Sequence, residues 1–372
     1  MQFKFNRERE VAGKEKKLLK FMKKNKIDVL LLTNLNNFAW ITGGGDSHVR
    51  FSQTGGVCTA VFTPEKKYIV TSNIEGARIM EEEVKGLGYI LKAHNWWEEN
   101  KKADIIKSIA GNGLIASDDG VFGTKNVDSE LMYLRLVLTS EDIKKYKWLG
   151  KKAGKAMARV CKKIKLGSRE DDVTAALAKE LFKDGIQPTV LLMAQEDRVS
   201  KYRHPVSTQT AINKYIMVVL CAKKWGLVVN LTRMVHFGPL SAELKNKHMA
   251  VLKVDAVFNL SSKIGATIGE VFKKGQAAYK EAGFAEEWTL HHQGGPTGYS
   301  EREYKGTPDN KEIIQGNMAF AWNPSITGTK CEDTVLLRKN GKVEVLTPTP
   351  NWPMVAVKIG KETLNRPDIL VR

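Results

Sequence analysis

The chain has 372 residues, 42% of them apolar and 27% charged, and its 59 Lys and Arg against 41 Asp and Glu leave a net charge of +18. That length allows two domains with cores of their own at roughly 100–200 residues each, and no apolar run approaches the ~20 residues that cross a bilayer, which argues against a membrane protein. The positive charge raises the question of a nucleic-acid partner, but the lysines of KEKKLLKFMKKNK and EDIKKYKWLGKKAGKAMARVCKKIK alternate with an apolar stripe, so solvated helix faces explain them better and nucleic acid is not the expected partner.

MQFKFNREREVAGKEKK lacks an apolar core followed by small residues, so no secretory signal is expected and the expected location is cytoplasmic. The helix EVAGKEKKLLKFMKKNK is followed by strands IDVLLLT, VCTAVFT and KYIVTS, the helix IEGARIMEEEVKGLG, the strand YILKAH, a helix from Lys101 to Ile109 and the strand GLIASD. This alternation predicts an α/β domain over residues 1–136. Between its first two strands, NLNNFAWITGGGDSHVRFSQTGG reads as a loop that either bears function or covers a sheet edge. Ser140, with Glu141 and Asp142 behind it, predicts a helix start whose apolar spacing runs to about Ile164. LGSRED breaks the pattern, and DDVTAALAKELFKDG makes a second helix ending at Gly185. The strand-like segments TVLLMA, YIMVVLCA, GLVVNLTRMVHF, MAFAWNPSI and DTVLLRKNGKVEVLT follow, with a hairpin turn at Asn340 and Gly341. Residues 137–372 therefore read as an antiparallel sheet with helices packed on it. Cys58, Cys161, Cys221 and Cys331 are far apart without CxxC spacing, which predicts small buried residues and neither a zinc knuckle nor a disulfide framework.

The order of these pieces resembles the pita-bread superfamily of creatinase, prolidase, aminopeptidase P and methionine aminopeptidase over essentially the whole chain. IDVLLLTNLNNFAWITG and YIVTSNIEGARIMEEE resemble the creatinase/prolidase N-terminal domain, and SEDIKKYKWLGKKAGKAMARVCKKIKLGSREDDVTAALAKELFKDG resembles the helices that open the catalytic domain. The resemblance implies an α/β creatinase/prolidase-like domain at 1–136 and an α+β pita-bread catalytic-like domain at 137–372. Metal-dependent members carry DxGxxxxGYxSDxTR, and in VLCAKKWGLVVNLTR the closing pair is Thr232-Arg233 and the glycine is Gly226, so Val219 and Asn230 stand at the two aspartate positions. The family's EPGxY corresponds to NPSIT, with Asn323 at the glutamate, while its final ED is kept as Glu332 and Asp333. Its ligand histidine, with glycine three residues on, corresponds to His292 with Gly295 or to His291 with Gly294. Two divalent cations close together need several anionic oxygens. Val219 offers no donor, and Asn230 and Asn323 only neutral amides, so a divergent member without metal or other cofactor is expected.

Creatinase hydrolyses a C–N bond on this fold without metal, and the resemblance directs attention to His204 in SKYRHPVSTQT, fifteen residues before Val219. Its imidazole would be the general acid/base, aimed by the extended conformation that Pro205 imposes; the plainer reading is a loop histidine held by hydrogen bonds. Glu332 would stabilise or activate the attacking water, or form an ion pair with an arginine. His292 completes the catalytic set and His291 a binding contact; neighbours on a strand face opposite ways, so one of the two is expected to reach the pocket. Asn230 and Asn323 are candidate substrate hydrogen-bonders or structural replacements. In QGGPTGYSERE the glycines allow close backbone approach to a ligand, Tyr299 lines the site, and Arg302 grips a substrate carboxylate or pairs with a neighbouring glutamate. In creatinase-like dimers the N-terminal domain of one subunit reaches the other's active site, which makes a homodimer the expected assembly and His48, Arg50 and Phe51 of GGGDSHVRF substrate-site candidates. The expected function is metal-independent, creatinase-like hydrolysis of a C–N bond in a small polar molecule of amino-acid, guanidino or amide type. Creatine itself is not indicated, because Thr232 replaces an acidic residue that creatinase has near this position. The alternatives are a non-catalytic module that binds peptide, protein or nucleic acid, and a residual Xaa-Pro-type aminopeptidase.

Overall fold

Helix α1 (Arg7–Lys24) begins where Asn6 accepts a hydrogen bond from the Arg9 amide, and acidic Glu8 and Glu10 in its first turn and basic Lys23 and Lys24 in its last complement the helix dipole. The computed structural model describes residues 5–372, and they divide into two units, the first running to Arg135 and also taking in Thr139–Asp142 and Trp225–Leu227. Strands β1 (Val29–Asn34), β2 (Gly55–Phe62), β3 (Lys67–Ser72), β4 (Ile90–His94), β5 (Ile115–Ser117) and β6 (Lys125–Asn126) form one mixed sheet in the order β4-β3-β2-β1-β5-β6. Its core includes Val29, Leu31, Val61, Val70 and Ile106. Helix α2 (Leu35–Ile41) occupies the start of the segment read as loop, because Phe38, Ala39, Trp40 and Ile41 are buried and tertiary packing overrides the local Asn-rich composition. The helix expected over 74–88 is shorter: α3 (Gly76–Arg78) continues as a wide turn over Ile79–Glu83, and Gly86 and Gly88 lie beyond it at positive φ. Helix α4 (Lys101–Ala110) precedes β5, and α5 (Asp128–Leu136) follows β6.

The second unit opens with α6 (Ser140–Cys161), most of which belongs to it, and α7 (Glu170–Phe182). Strand β7 (Gln187–Gln195) is followed by the short helix α8 (Glu196–Lys201), then β8 (Tyr215–Lys224) and β9 (Leu227–His236). The turn between β8 and β9 places Trp225 and Gly226 both at positive φ, the geometry that matches strand twist in a tight hairpin. These strands lie in a sheet ordered β18-β9-β8-β7, in which β18 (Leu370–Val371) runs parallel to β9, so the sheet is not wholly antiparallel. Helices α9 (Ala242–Ser261) and α10 (Ile268–Glu281) follow β9. The sequence reading passed over both. α9 is apolar on several sides, with Val251, Leu252, Val254, Ala256 and Phe258 all buried, so it lacks the one-sided stripe that marks a surface helix; α10 is announced by a capping box of Thr267 and Glu270. The expected strand MAFAWNPSI is two pieces, β11 (Ala319–Trp322) and β12 (Ser325–Ile326), parted at Pro324. β10 (Gly294–Thr297), β11, β14 (Val335–Leu337) and β15 (Val343–Val345) form a second sheet, β12 pairs with β13 (Thr329–Lys330), and β16 (Met354–Ile359) pairs with β17 (Glu362–Pro367). All four cysteines are free and buried, as the spacing predicts. No helix among the described residues is long and apolar enough to cross a membrane.

Candidate active site

The second unit brings His204, His291, His292, Arg302, Lys330 and Glu332 together. Glu332, 1% exposed, sits beside β9 through a bridge to Thr232 and accepts a hydrogen bond from the Thr232 hydroxyl at 2.8 Å. Its Oε1 meets the Arg302 guanidinium at 2.8 Å and its Oε2 the Lys330 ammonium at 3.1 Å, all three side chains being nearly excluded from water. Burial works to raise the Glu332 carboxyl, but the charges of Lys330 and Arg302, with hydrogen bonds from Arg302 and Thr232, outweigh it and hold the group at about 2. Lys330 was not among the residues singled out by sequence; the available signal was its place two residues before Glu332, which puts both side chains on one face of an extended segment.

The histidines meet beside this ion pair. His204 Nε2 lies 2.9 Å from His291 Nε2, and the His204 ring centroid is 4.8 Å from that of His291 and 5.9 Å from that of His292. His291 and His292 stack at 4.4 Å. Both reach the cluster, against the expectation for neighbours on a strand, because they precede β10 and lie outside it. Burial and the nearby positive charge of Lys330 push the His291 imidazole far below its ordinary range; burial, Arg302 and Lys330 bring His292 to about 3; and burial with Lys330 lowers His204. All three rings are therefore neutral near pH 7. Their ligand nitrogens lie within 4.8 Å of one another, close enough to hold a metal ion, although Lys330 beside them and the Gly294 amide on His292 Nδ1 at 3.3 Å oppose one.

Neighbouring contacts fix these rings. Arg203, unnoticed in the sequence although it adjoins His204, reaches Glu287 at 2.6 Å, Thr327 at 2.8 Å and Ser325 at 3.3 Å, tying the His204 loop to the β12–β13 hairpin. Gln293 donates to the His291 carbonyl at 2.6 Å and accepts from Tyr279 at 2.9 Å. Gly294 has φ of +90°, and a Cβ there would stand 2.1 Å from the Ala321 carbonyl oxygen. The close approach that glycine permits here is to the adjacent strand.

Asn230 is fully buried, donates to Thr297 at 3.2 Å, and has an Oδ1 with no partner; Asn323, 3% exposed, likewise has an unpartnered Oδ1. Val219 is 3% exposed within an apolar cluster that includes Met217 and Met234. Tyr299 is buried, with its backbone amide on Glu303 at 2.8 Å. His48, Arg50 and Phe51 belong to the first unit, where His48 Nδ1 is 2.6 Å from Asp46 and its ring 5.5 Å from that of Phe51, which is 69% exposed.

Against known proteins, the profile of the Creatinase/Prolidase N-terminal domain matches residues 15–127, and that of Metallopeptidase family M24 matches residues 144–339, more than half of the chain. The chain belongs to metallopeptidase family M24. Its fold is a creatinase/prolidase-type α/β domain followed by a pita-bread α+β domain, as the resemblance implies. This M24 chain is 24% identical over 340 residues to a Xaa-Pro dipeptidase of Pyrococcus horikoshii, a match covering 88% of this chain and 95% of the relative. It is 25% identical over 232 residues to a Staphylococcus epidermidis protein named only as an uncharacterized peptidase, a match that spans 66% of that protein and 60% of this chain. Among solved structures, the prolidase from Pyrococcus horikoshii OT3 superposes with a TM-score of 0.77 at 21% identity, covering 91% of this chain and 98% of that one.

Proposed function

We propose that this M24 chain is a divergent member without the family's metal ligands, a metal-independent hydrolase of C–N bonds in a small polar substrate of amino-acid, guanidino or amide type. The observation that carries the reading is the ion pairing of Glu332. Both oxygens of the one carboxylate kept at a ligand position are held by Arg302 and Lys330, so two divalent cations would have to bind beside two fixed positive charges. Val219, Asn230 and Asn323 supply no anion to offset that repulsion. Burying Val219 contributes roughly 1.5–3 kcal/mol, whereas an unpaired carboxylate in its place would lose stability. The residues present do not fit a dinuclear metal site.

Glu332, held at about 2, does not take a proton near neutrality; we assign it the anchoring of Lys330 and Arg302, which present positive charge to a developing oxyanion. His204, at the exposed rim of the cluster, is the group placed to move a proton. His292 orients the polarised group, and the orphaned Oδ1 atoms of Asn230 and Asn323 are acceptors for substrate N–H groups. Purified protein assayed against methylated amino acids, guanidino compounds, amides and Xaa-Pro dipeptides is expected to turn over one of these classes. A chelator should leave the rate unchanged, and His204→Ala should lower it by roughly 10²–10⁴-fold; chelator-sensitive turnover with stoichiometric bound metal would replace this reading by the Xaa-Pro peptidase that the relatives' names suggest. A non-catalytic binding module is favoured by the same ion pairing, since it holds Glu332 at about 2 and so makes it a weak base; absence of turnover together with retained ligand binding would select it. The reading extends to a cytoplasmic homodimer and to a domain boundary between residues 136 and 137.

A further inference from the structure

The second unit holds a cleft of about 420 Å³ that shares no residue with the histidine cluster. It is lined by α8, by the first residue of β8 and the last of β9, by the start of α9 and by the turn between β12 and β13. Glu196 and Tyr215 both line it, and each carries a buried oxygen that has no hydrogen-bond partner among the described residues: Oε1 of Glu196 and the Tyr215 hydroxyl. Tyr215 is 7% exposed. Burial and the nearby Glu196 carboxylate push its phenol well up, so the hydroxyl keeps its hydrogen and offers neutral lone pairs to a donor. Two unmade hydrogen bonds on the lining of one cleft cost stability until something donates to them.

Charge decides what that donor is. Glu243 is taken up by Lys247 at 2.6 Å, which leaves Glu196 and Asp197 facing Lys214, a negative lining on a chain whose net charge is +18. An anion would meet Glu196, whereas a cation with N–H groups satisfies both orphaned oxygens at once. A metal ion does not fit, because among the described residues three converging metal-ligand side chains occur only at His204, His291 and His292. We propose that this cleft binds a small organic cation, whose ammonium or guanidinium N–H groups donate to Glu196 Oε1 and to the Tyr215 hydroxyl, with Asp197 adding negative charge. The bond to Glu196 is charge-assisted and carries most of the recognition. The rings of Tyr215 and His236, 5.9 Å apart, give the cation an aromatic flank. The volume falls within the about 300–1,000 Å³ of small-molecule sites. This site stands independently of the hydrolase reading.

Calorimetric titration of the full-length protein at neutral pH and constant ionic strength tests this, with n-butylamine and n-butylguanidine as probes and n-butanol and butyrate as uncharged and anionic controls. At least one of the two cations should bind with a Kd of about 1 mM or tighter, and neither control should. In histidine-labelled protein the bound cation should move the NMR resonances of His236, which lines the cleft, and leave those of His94 in the first unit in place. Glu196→Gln, which keeps the shape and removes the charge, should weaken binding by at least about tenfold, and Tyr215→Phe by about threefold to tenfold. Without ligand, Tyr215→Phe should melt no lower than wild type, since it deletes an orphaned hydroxyl; this separates lost binding from lost folding. No binding of either cation, equal binding of n-butanol, or an affinity unchanged in Glu196→Gln would overturn the proposal. So would shifts confined to His204, His291 and His292, which would put the cation in the candidate active site instead.

Discussion

Lys330 and Arg302 are 5% and 9% exposed at their side chains, and the Glu332 between them 1%, so the carboxylate is the counter-charge of two buried cations. Removing the carboxylate leaves two buried cations with no anion between them, and Glu332→Gln should destabilise the protein by roughly 3–5 kcal/mol in urea titration. The double variant Lys330→Met with Glu332→Gln should recover part of that loss; a Glu332→Gln protein as stable as wild type would show the ion pairing to be idle. Glu332 and the histidines could be read from the sequence because ED, RHP and HHQGG stand in motif positions. Lys330 and Arg203 could not, since each matters through a partner more than eighty residues away or through one shared face of a strand. Val219, Asn230 and Asn323 drew attention only through the resemblance, which sets them at the family's carboxylate positions, whereas the orphaned Oδ1 atoms come from packing.

Elements of the second unit bear on one another through close contacts that sequence periodicity does not record. Gly275 of α10 lies against Phe258 of α9, where a Cβ would stand 2.1 Å from the ring, and that ring is stacked at 4.7 Å on Trp322 and has no room to retreat. Gly275→Ala should therefore lower stability by about 1–3 kcal/mol despite the gain in helix propensity; a rise in Tm would refute the contact. His248 on α9 is 2% exposed and binds Thr329 of β13 at 2.8 Å and the Pro367 carbonyl at 3.3 Å. Burial depresses its imidazole from 6.5 to about 4, against the pull of the Asp368 carboxylate. The unfolded chain then takes up this proton below pH 6.5 while the folded one refuses it until about pH 4. His248 thus contributes stability that is full above pH 6.5 and is lost as pH falls toward 4, up to about 3 kcal/mol. Thermal melts of His248→Gln should show a shallower decline across that window than wild type. The alternating helices and strands of the first unit were legible because each presents one periodicity. α9 was not, because a helix buried on several sides has no contrast to read, and neither was the split of β11 from β12, which depends on where Pro324 falls in the sheet.

For the whole molecule, a charge of +18 is a self-repulsion that counter-ions relieve. Many surface cations are locally paired, such as Lys147 with Glu344 at 2.7 Å and Lys152 with Asp184 at 2.6 Å, but exposed pairs of this kind are worth little. The net effect of salt should be stabilising: Tm is expected to rise by a few degrees as the Debye length shrinks from about 30 Å at 0.01 M toward 8 Å at 0.15 M, and a fall would mean that local pairs dominate. Sedimentation at micromolar protein should find the dimer; a monomer at that concentration would remove the proposed reach of His48, Arg50 and Phe51 into a partner's site. The sheet that carries Asn230 and Thr232 has a further consequence, one of timing. The last two residues of β9 find their outer neighbour in β18, where Leu370 pairs with Val235 from about 135 residues further along the chain. At synthesis rates of about 5–20 residues per second, that end of β9 waits roughly 7–27 s on the ribosome for its partner. During that interval it is a template open to any extended strand nearby.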